Sequence, residues 1–447
     1  MEILIILILA LDLGMIASNQ SLWLDEAISA NVAKMPIGEI LKSFSIHDFH
    51  PPLYYWFLNI WTNIFGSRVV FLRLSSILFS LVTIYFIYLI GKKIKDQKTG
   101  FLAALILATN PLFVYFSQEL RMYSMATMWL IIGFYYFIKI RSAKLTINIK
   151  DLVMFNLMMA LAFGTFYGSI FLIASFAIYW LIKKEWKLFW LTNIGVGVAI
   201  LILSPLLLTQ IRNSKIMLGQ VSNWILVLGK VNLKNLLLIP LKFSIGRISF
   251  LPKIFYYLVG GGWSLIILAL LFLKKKKESN WLKIFLILPI ILAIIFSIKS
   301  PLLQYFRFLY LVPIMALILA INIDKNWQKM MVGGVFLIFT LIYLFHPNYH
   351  REDWKGVVKE ISDGRCQISD DKCQIYMIGS FGDPIKFYNP DIQISDIRSQ
   401  IVEEKIRVIP YGELIHGVNH EKILADLGYK KTEVLNFREI VLESWEK

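Results

Sequence analysis

The stretch RVVFLRLSSILFSLVTIYFIYLI (68–90) decides the architecture, and GKKIKDQKTG (91–100) directly after it gives the direction. Apart from Arg68 and Arg73 near its start, the first stretch has no charge. It exceeds the roughly 20 apolar residues that an α-helix needs to cross a hydrocarbon layer of about 30 Å. Ten further stretches read the same way: 3–18, 100–116, 123–140, 151–164, 168–182, 187–210, 253–273, 281–298, 303–323 and 329–346. The pair 151–164 and 168–182 is short and also fits one helix kinked around Gly164 and Gly168. The composition agrees with a polytopic membrane protein. Of 447 residues 57% are hydrophobic and only 17% charged, against about a quarter charged in soluble domains. A soluble enzyme and a nucleic-acid-binding domain are thereby excluded.

The net charge of +16 divides unevenly: residues 1–346 carry +20 and residues 347–447 carry −4. The excess lies in short loops. Gly91–Gly100 holds four lysines, Lys139–Lys150 four basic residues, Lys183–Lys187 three, and Lys274–Lys277 is an unbroken run of four. Such loops mark the cytoplasmic side. They alternate with loops poor in positive charge, provided that Leu53–Phe65 does not cross. Thirteen residues are too few to span, and Tyr54, Tyr55, Trp56 and Trp61 suit the membrane–water interface, so this segment reads as a juxtamembrane helix on the outer face. The first span carries no basic n-region and reads as a retained anchor. Two outer segments are long, 19–67 and 211–252.

Residues 1–346 thus form an α-helical polytopic membrane domain of about eleven spans, and residues 347–447 a second domain. In the latter, strand-length runs at Gln374–Ile378, Gln393–Ile394 and Ile406–Ile409 alternate with helix-like stretches at Trp354–Ile361, Ile397–Glu404 and His420–Leu427. That alternation predicts a small α/β domain, placed outside by the odd span count. Cys366 and Cys373 flank a turn-like Ser369–Lys372; an exterior disulfide and two unpaired thiols both fit.

Ionisable residues at a membrane edge are functional candidates by default, and they gather at four outer places. Asp25 and Glu26 follow the first span; adjacent helical carboxylates point apart, so one can face a cavity while the other stabilises the helix N-terminus. His47, Asp48 and His50 precede Pro51-Pro52; two histidines three apart without a third ligand do not define a metal site, and His50 suits hydrogen bonding to a phosphate or a sugar. Glu119 and Arg121 lie in the turn before Tyr123; a guanidinium fork suits phosphate, while a Glu119–Arg121 pair would merely tie the loop. Arg307 stands at the outer end of span ten, where it can snorkel or neutralise an anion. Arg247 in the loop 211–252 is a secondary candidate, and Arg73 reads as snorkelling. No Walker A, dinucleotide, zincin or nucleophile-elbow pattern occurs. The ionisable groups line one edge rather than the mid-membrane positions that a transporter built of symmetric halves would use.

An outer site has no nucleotide sugar, so a glycosyl donor there must arrive on a lipid. The chemistry needs a carboxylate for the acceptor proton and cations for the leaving phosphate. At this point the chain resembles a family. Trp23-Leu24-Asp25-Glu26-Ala27, His50-Pro51-Pro52-Leu53-Tyr54-Tyr55, Gly66 with Arg73, Tyr115 through Ser124, and Phe306-Arg307-Phe308 before Pro313 resemble the membrane glycosyltransferases of the C-type (GT-C) fold. Within these the likeness is to the protein O-mannosyltransferase and aminoarabinose transferase branch, the dolichyl-phosphate-mannose-protein mannosyltransferase-like group (glycosyltransferase family 39-like). It covers about residues 1–346, the first 130 most specifically.

The resemblance implies an inverting transfer from a polyprenyl-phosphate sugar to a lipid, glycan or protein acceptor, on the extracytoplasmic face of the cell membrane. Asp25 carries over as general base and Glu119 as the acidic residue that holds the sugar or supports the base. Arg121, Arg307, Tyr123 and His50 fall on the donor-phosphate side, with Glu26, Arg247, Tyr54 and Tyr55 as secondary candidates. Relatives with a spaced acidic pair use a divalent cation; here Asp25 and Glu26 are adjacent, and metal independence with no cofactor is expected. The alternatives are a lipid or polysaccharide transporter or flippase, which needs no catalytic carboxylate, and a lipid-linked glycan polymerase or ligase.

Overall fold

The computed structural model describes residues 2–143, 147–274, 276–363 and 374–447. Cys366 and Cys373 lie outside the described residues. Every expected span coincides with helix: α1 Glu2–Ile16, then, after α2 Leu24–Val32 and α3 Leu53–Phe65, α4 Val69–Ile94, α5 Gln97–Thr109 with α6 Pro111–Ser117, α7 Tyr123–Ser142, α8 Ile149–Thr165, α9 Ile170–Ile182 and α10 Trp186–Gln220. After α11 Leu233–Ile245 come α12 Lys253–Phe272, α13 Leu282–Ser297, α14 Leu311–Asn322 and α15 Asn326–Phe345. Among the described residues, six helices are individually long and apolar enough to cross a membrane. The bent pair α5–α6 makes a seventh span, and Tyr167–Ile182 and α14 are shorter apolar helices.

The helices sort by exposure. All twelve residues of α14 are buried, so an all-round apolar sequence becomes the bundle's central helix. Leu201 and Ile202 on α10 and Leu265 on α12 are exposed, as lipid-facing residues are. Helices α4 and α5 cross closely because Gly91 and Gly100 face each other; a Cβ on Gly91 would come within 2.7 Å of the Gly100 Cα.

Three details depart from the sequence reading. The span expected at 100–116 is broken by 67° at Asn110–Pro111. Pro111 supplies no N–H, and the Asn110 side chain caps the new start by accepting from Leu112 and Phe113 N–H. Span ten begins at Leu311 rather than 303, so Arg307 lies in a 3₁₀ turn, Tyr305–Phe308, ahead of the helix. The segment 211–252 is largely helical: α10 runs on to Gln220, and α11 occupies Leu233–Ile245. The regions 151–164 and 168–182 agree with the reading as two stretches rather than one kinked helix: two helices separated by a turn at Tyr167–Ser169. The segment Leu53–Phe65 is one helix, α3, with Tyr54, Tyr55 and Leu58 buried and Ile60, Ile64 and Phe65 exposed, the two-sided form of an interfacial helix.

The C-terminal region contains α16 Trp354–Ser362, α17 Asp383–Tyr388 and α18 His420–Asp426 around a five-stranded sheet. Its strands are β1 Ile375–Met377, β2 Ile394–Asp396, β3 Lys405–Val408, β4 Lys430–Phe437 and β5 Ile440–Glu446, in the order β2-β1-β3-β5-β4. The first three are mutually parallel, and β4–β5 is an antiparallel hairpin. Ile397–Glu404, expected as helix, is instead the irregular link between β2 and β3. Its Ile397 and Ile401 are buried as core anchors, a role that helical periodicity mimics. The region seats on the bundle through hydrogen bonds: Tyr388 Oη accepts from Leu22 N–H at 2.8 Å, Asn31 donates to the Asp383 side chain at 2.9 Å, and Ser21 Oγ accepts from Lys355 N–H at 2.9 Å.

Candidate active site

The two neighbouring carboxylates on α2 have different environments. Glu26 is buried and receives the Arg73 fork from α4, with Nε to Oε1 at 2.9 Å and Nη2 to Oε2 at 2.6 Å. Glu26 Oε1 also accepts from Leu120 N–H at 2.8 Å. Arg73 is further bound to the carbonyls of Ser18, Gln20 and Ser21, so every nitrogen of its guanidinium is engaged. Arg73 therefore does not snorkel; it holds the α1–α2 connection, and Glu26 is its counter-charge. Asp25, one residue earlier, keeps its side chain about one-third exposed, with Arg121 Nη2 at 3.5 Å from Oδ2.

Arg121 is the centre of the cluster. The bend at Pro111 and the turn after α6 bring it beneath α2, where Nη1 donates to Asp25 O at 3.2 Å and Ser29 Oγ at 3.3 Å. Nη2 is 3.4 Å from His50 Nε2, and the buried Nε has no partner. Burial, then Arg121 and Arg307, drive the His50 imidazole well below its ordinary pKa. This favours the neutral imidazole, whose ring N–H can donate to an anion. The His50 backbone carbonyl is held by Gln210 of α10 at 3.0 Å. Arg307 completes the cationic side: its buried Nη1 has no partner among the described residues, and burial lowers its pKa. The Tyr123 ring stands between Phe116, Phe166 and Phe306, an aromatic wall beside these two arginines.

Glu119 does not pair with Arg121. Its Oε1 is 3.4 Å from Arg351 Nη2, and its buried Oε2 is unpartnered. Burial raises its pKa to about 7, with Arg351 opposing and Glu26 adding to the rise. Arg351, just past the last span, stacks on the Trp23 indole at 3.7 Å and donates to Tyr115 Oη. Arg247 donates to the same Tyr115 Oη at 2.7 Å. Gly246 makes this approach possible: its φ is +67°, and a Cβ there would lie 2.9 Å from Pro111 Cβ. Tyr55 donates to Asp48 at 2.8 Å, and His47 Nδ1 lies 3.0 Å from Ser43 O, so the residues 47, 48 and 50 do not converge as a ligand set. Tyr54 is buried on α3, and burial raises its pKa. Among the described residues the trio spaced for a cation is His420, Glu421 and Glu443 in the C-terminal region, where the Lys431 ammonium already bonds both glutamates.

Residues 49–208 match the family described as dolichyl-phosphate-mannose-protein mannosyltransferase. ArnT from Cupriavidus metallidurans, in the apo state and bound to undecaprenyl phosphate, superposes with a TM-score of 0.62 in both cases, at 11% and 12% identity. Each match covers 99% of this chain and 97% of ArnT. This is the C-type membrane glycosyltransferase fold. The archaeal oligosaccharyltransferase AglB from Archaeoglobus fulgidus, in complex with an inhibitory peptide and a dolichol-phosphate, is similar at a TM-score of 0.51 and 11% identity, over 87% of this chain and 63% of AglB. A search of curated proteins finds no match.

Within this C-type fold, the matched stretch contains His50, Glu119, Arg121 and Tyr123 but neither Asp25 nor Arg307; those two join the cluster only through tertiary structure. Sequence reasoning missed Arg351. The charged pair Arg351–Glu352 directly after the last apolar stretch was the available signal, by the same edge-charge argument that selected Arg307.

Proposed function

We propose that this chain is a glycosyltransferase that moves a sugar from a polyprenyl-phosphate donor to a hydroxyl or phosphate acceptor on the extracytoplasmic face, with inversion. One observation carries the reading. Asp25, the accessible member of the adjacent pair, stands beside Arg121, and both Arg121 and Arg307 keep buried N–H groups unspent at the same membrane edge. An unpartnered guanidinium N–H in a desolvated place is costly unless an anion completes it. A lipid phosphate at the bilayer edge is such an anion. That ArnT binds undecaprenyl phosphate and AglB a dolichol-phosphate on the same fold supports this choice.

In this mechanism the donor phosphate is held by Arg307 and Arg121, with neutral His50 as a further donor and Tyr123 walling the lipid side. The acceptor oxygen attacks the anomeric carbon in line, its proton passes to an Asp25 carboxylate oxygen, and the bond from the anomeric carbon to the phosphate oxygen breaks. The polyprenyl phosphate departs with that electron pair. It is already a good leaving group, so no general acid is required. One base and no second nucleophilic carboxylate favour inversion. Glu119, paired with Arg351, holds the sugar or supports the base. With Glu26 consumed by Arg73, we infer transfer without a divalent cation.

The test is transfer from radiolabelled polyprenyl-phosphate-mannose and -glucose by purified protein, wild type beside Asp25→Asn, with and without a chelator. Transfer that disappears in the variant and survives the chelator supports the reading. Donor binding without turnover in either protein overturns it in favour of a carrier.

A further inference from the structure

A second cavity, separate from the Asp25 cluster, opens at the far end of α2. It has a volume of about 500 Å³ and is lined by Lys34, Arg68, Val70, Phe71, Phe387 and Tyr388, among others. Its construction is graded. The floor is the first turn of α4, a helix apolar enough to cross a membrane, and Phe71 there is 39% exposed. The neighbouring interfacial helix α3 exposes Ile60, Ile64 and Phe65, which places the cavity at the boundary between hydrocarbon and water. The roof is α17 of the C-terminal region, whose Phe387 ring lies 4.6 Å from the Lys34 ammonium.

Two exposed cations thus face a chamber whose lining is mostly apolar. No ion pair among the described residues involves Lys34 or Arg68, although other cations at this end have acidic partners. Burial lowers the Lys34 pKa, the response of an ammonium that lacks a counter-ion.

We propose that this cavity binds the phosphate headgroup of an anionic bilayer lipid between Lys34 and Arg68, with the acyl chains running down past Val70 and Phe71. A soluble anion would gain nothing from the apolar floor, and a zwitterionic lipid would set its own cation against the two protein cations. Because α17 forms the roof, the bound lipid fastens the C-terminal region to the bundle, beside the Tyr388–Leu22 and Asp383–Asn31 contacts. Lys34 follows Asp25 by nine residues, so the headgroup lies roughly 13 Å along the helix direction from the proposed base.

The experiment is native mass spectrometry of purified full-length protein titrated with phosphatidylglycerol or phosphatidylcholine. Wild type should retain one phosphatidylglycerol that a Lys34→Gln/Arg68→Gln variant binds about 25-fold more weakly, from about 1 kcal/mol per cation near a lipid phosphate. The charge-keeping Lys34→Arg/Arg68→Lys variant should bind as wild type, which separates lost charge from misfolding. Asp25→Asn should also bind normally, so failure of the transferase reading leaves this test untouched. Equal retention by the charge-removed variant, equal retention of phosphatidylcholine, or displacement by millimolar inorganic phosphate would each overturn the proposal.

Discussion

The two ends of the helix bundle use arginine and lysine in opposite ways. At the end carrying the basic loops, Lys139 pairs with Asp151, Lys276 pairs with Asp324, and Arg141 lies 4.1 Å over Trp281 while donating to Tyr179 at 2.6 Å. These cations are paired or stacked near the surface. At the other end Arg121 and Arg307 are largely desolvated and retain unpartnered nitrogens, and Glu119 retains an unpartnered oxygen. Arg73 shows that this end can satisfy a buried guanidinium completely. Incomplete satisfaction at Arg121 and Arg307 therefore contrasts with Arg73 at the same end, and the donor phosphate proposed above would complete it.

The largest effect expected from this contrast is at Asp25. Asp25→Asn should reduce transfer by about 10²- to 10⁴-fold, the usual worth of a general base, with an unchanged melting temperature; retained turnover would remove Asp25 from the chemistry. Glu26→Gln should do the reverse. Leaving Arg73 buried without its counter-charge costs about 3–5 kcal/mol, read as a lowered unfolding midpoint in detergent. If both variants lost activity and neither lost stability, the division of labour on α2 would be wrong.

Arg307→Gln comes next. Losing a charge-assisted bond of about 1.5–3 kcal/mol should raise the KM for donor by about 10- to 100-fold, with Arg307→Lys between the two. Glu119 sharpens the comparison through pH. Its folded pKa of about 7 lies above the ordinary value of 4.5, so the fold binds the proton more tightly than the unfolded chain does. That contribution is fully present below about pH 4.5 and is lost as pH rises to about 7. Glu119→Gln should flatten this part of the stability profile; an unchanged slope would mean that Glu119 is ionised throughout. The smallest effect belongs to the other end, where Arg141→Gln should cost under about 1 kcal/mol and leave donor KM unaltered.

Much of this was legible in the chain. Apolar length located the bundle's helices, six of which, or seven with the bent pair, are long and apolar enough to cross a membrane among the described residues. The placement of ionisable residues at one edge picked out Asp25, Glu119, Arg121 and Arg307, because charge beside a bilayer is expensive wherever the chain folds. Three things were not legible. Adjacency alone could not say which of Asp25 and Glu26 would be consumed, since that depends on Arg73, 47 residues away from Glu26. The break at Asn110–Pro111 is a local signal hidden inside a continuous apolar run. The β4–β5 hairpin lacks buried alternation on β4, whose residues are mostly exposed, so periodicity had nothing to read.

The reach of Arg351 has a consequence for how the protein is made. Its bonds to Tyr115 and Glu119 close loops of 236 and 232 residues. All the spans have left the ribosome before Arg351 does, so a chain still being synthesised holds Asp25 and Arg121 in the membrane with Glu119 lacking its cation. The Glu119 side of the cluster therefore closes only after the last span has been made, when Arg351, six residues beyond α15, reaches it.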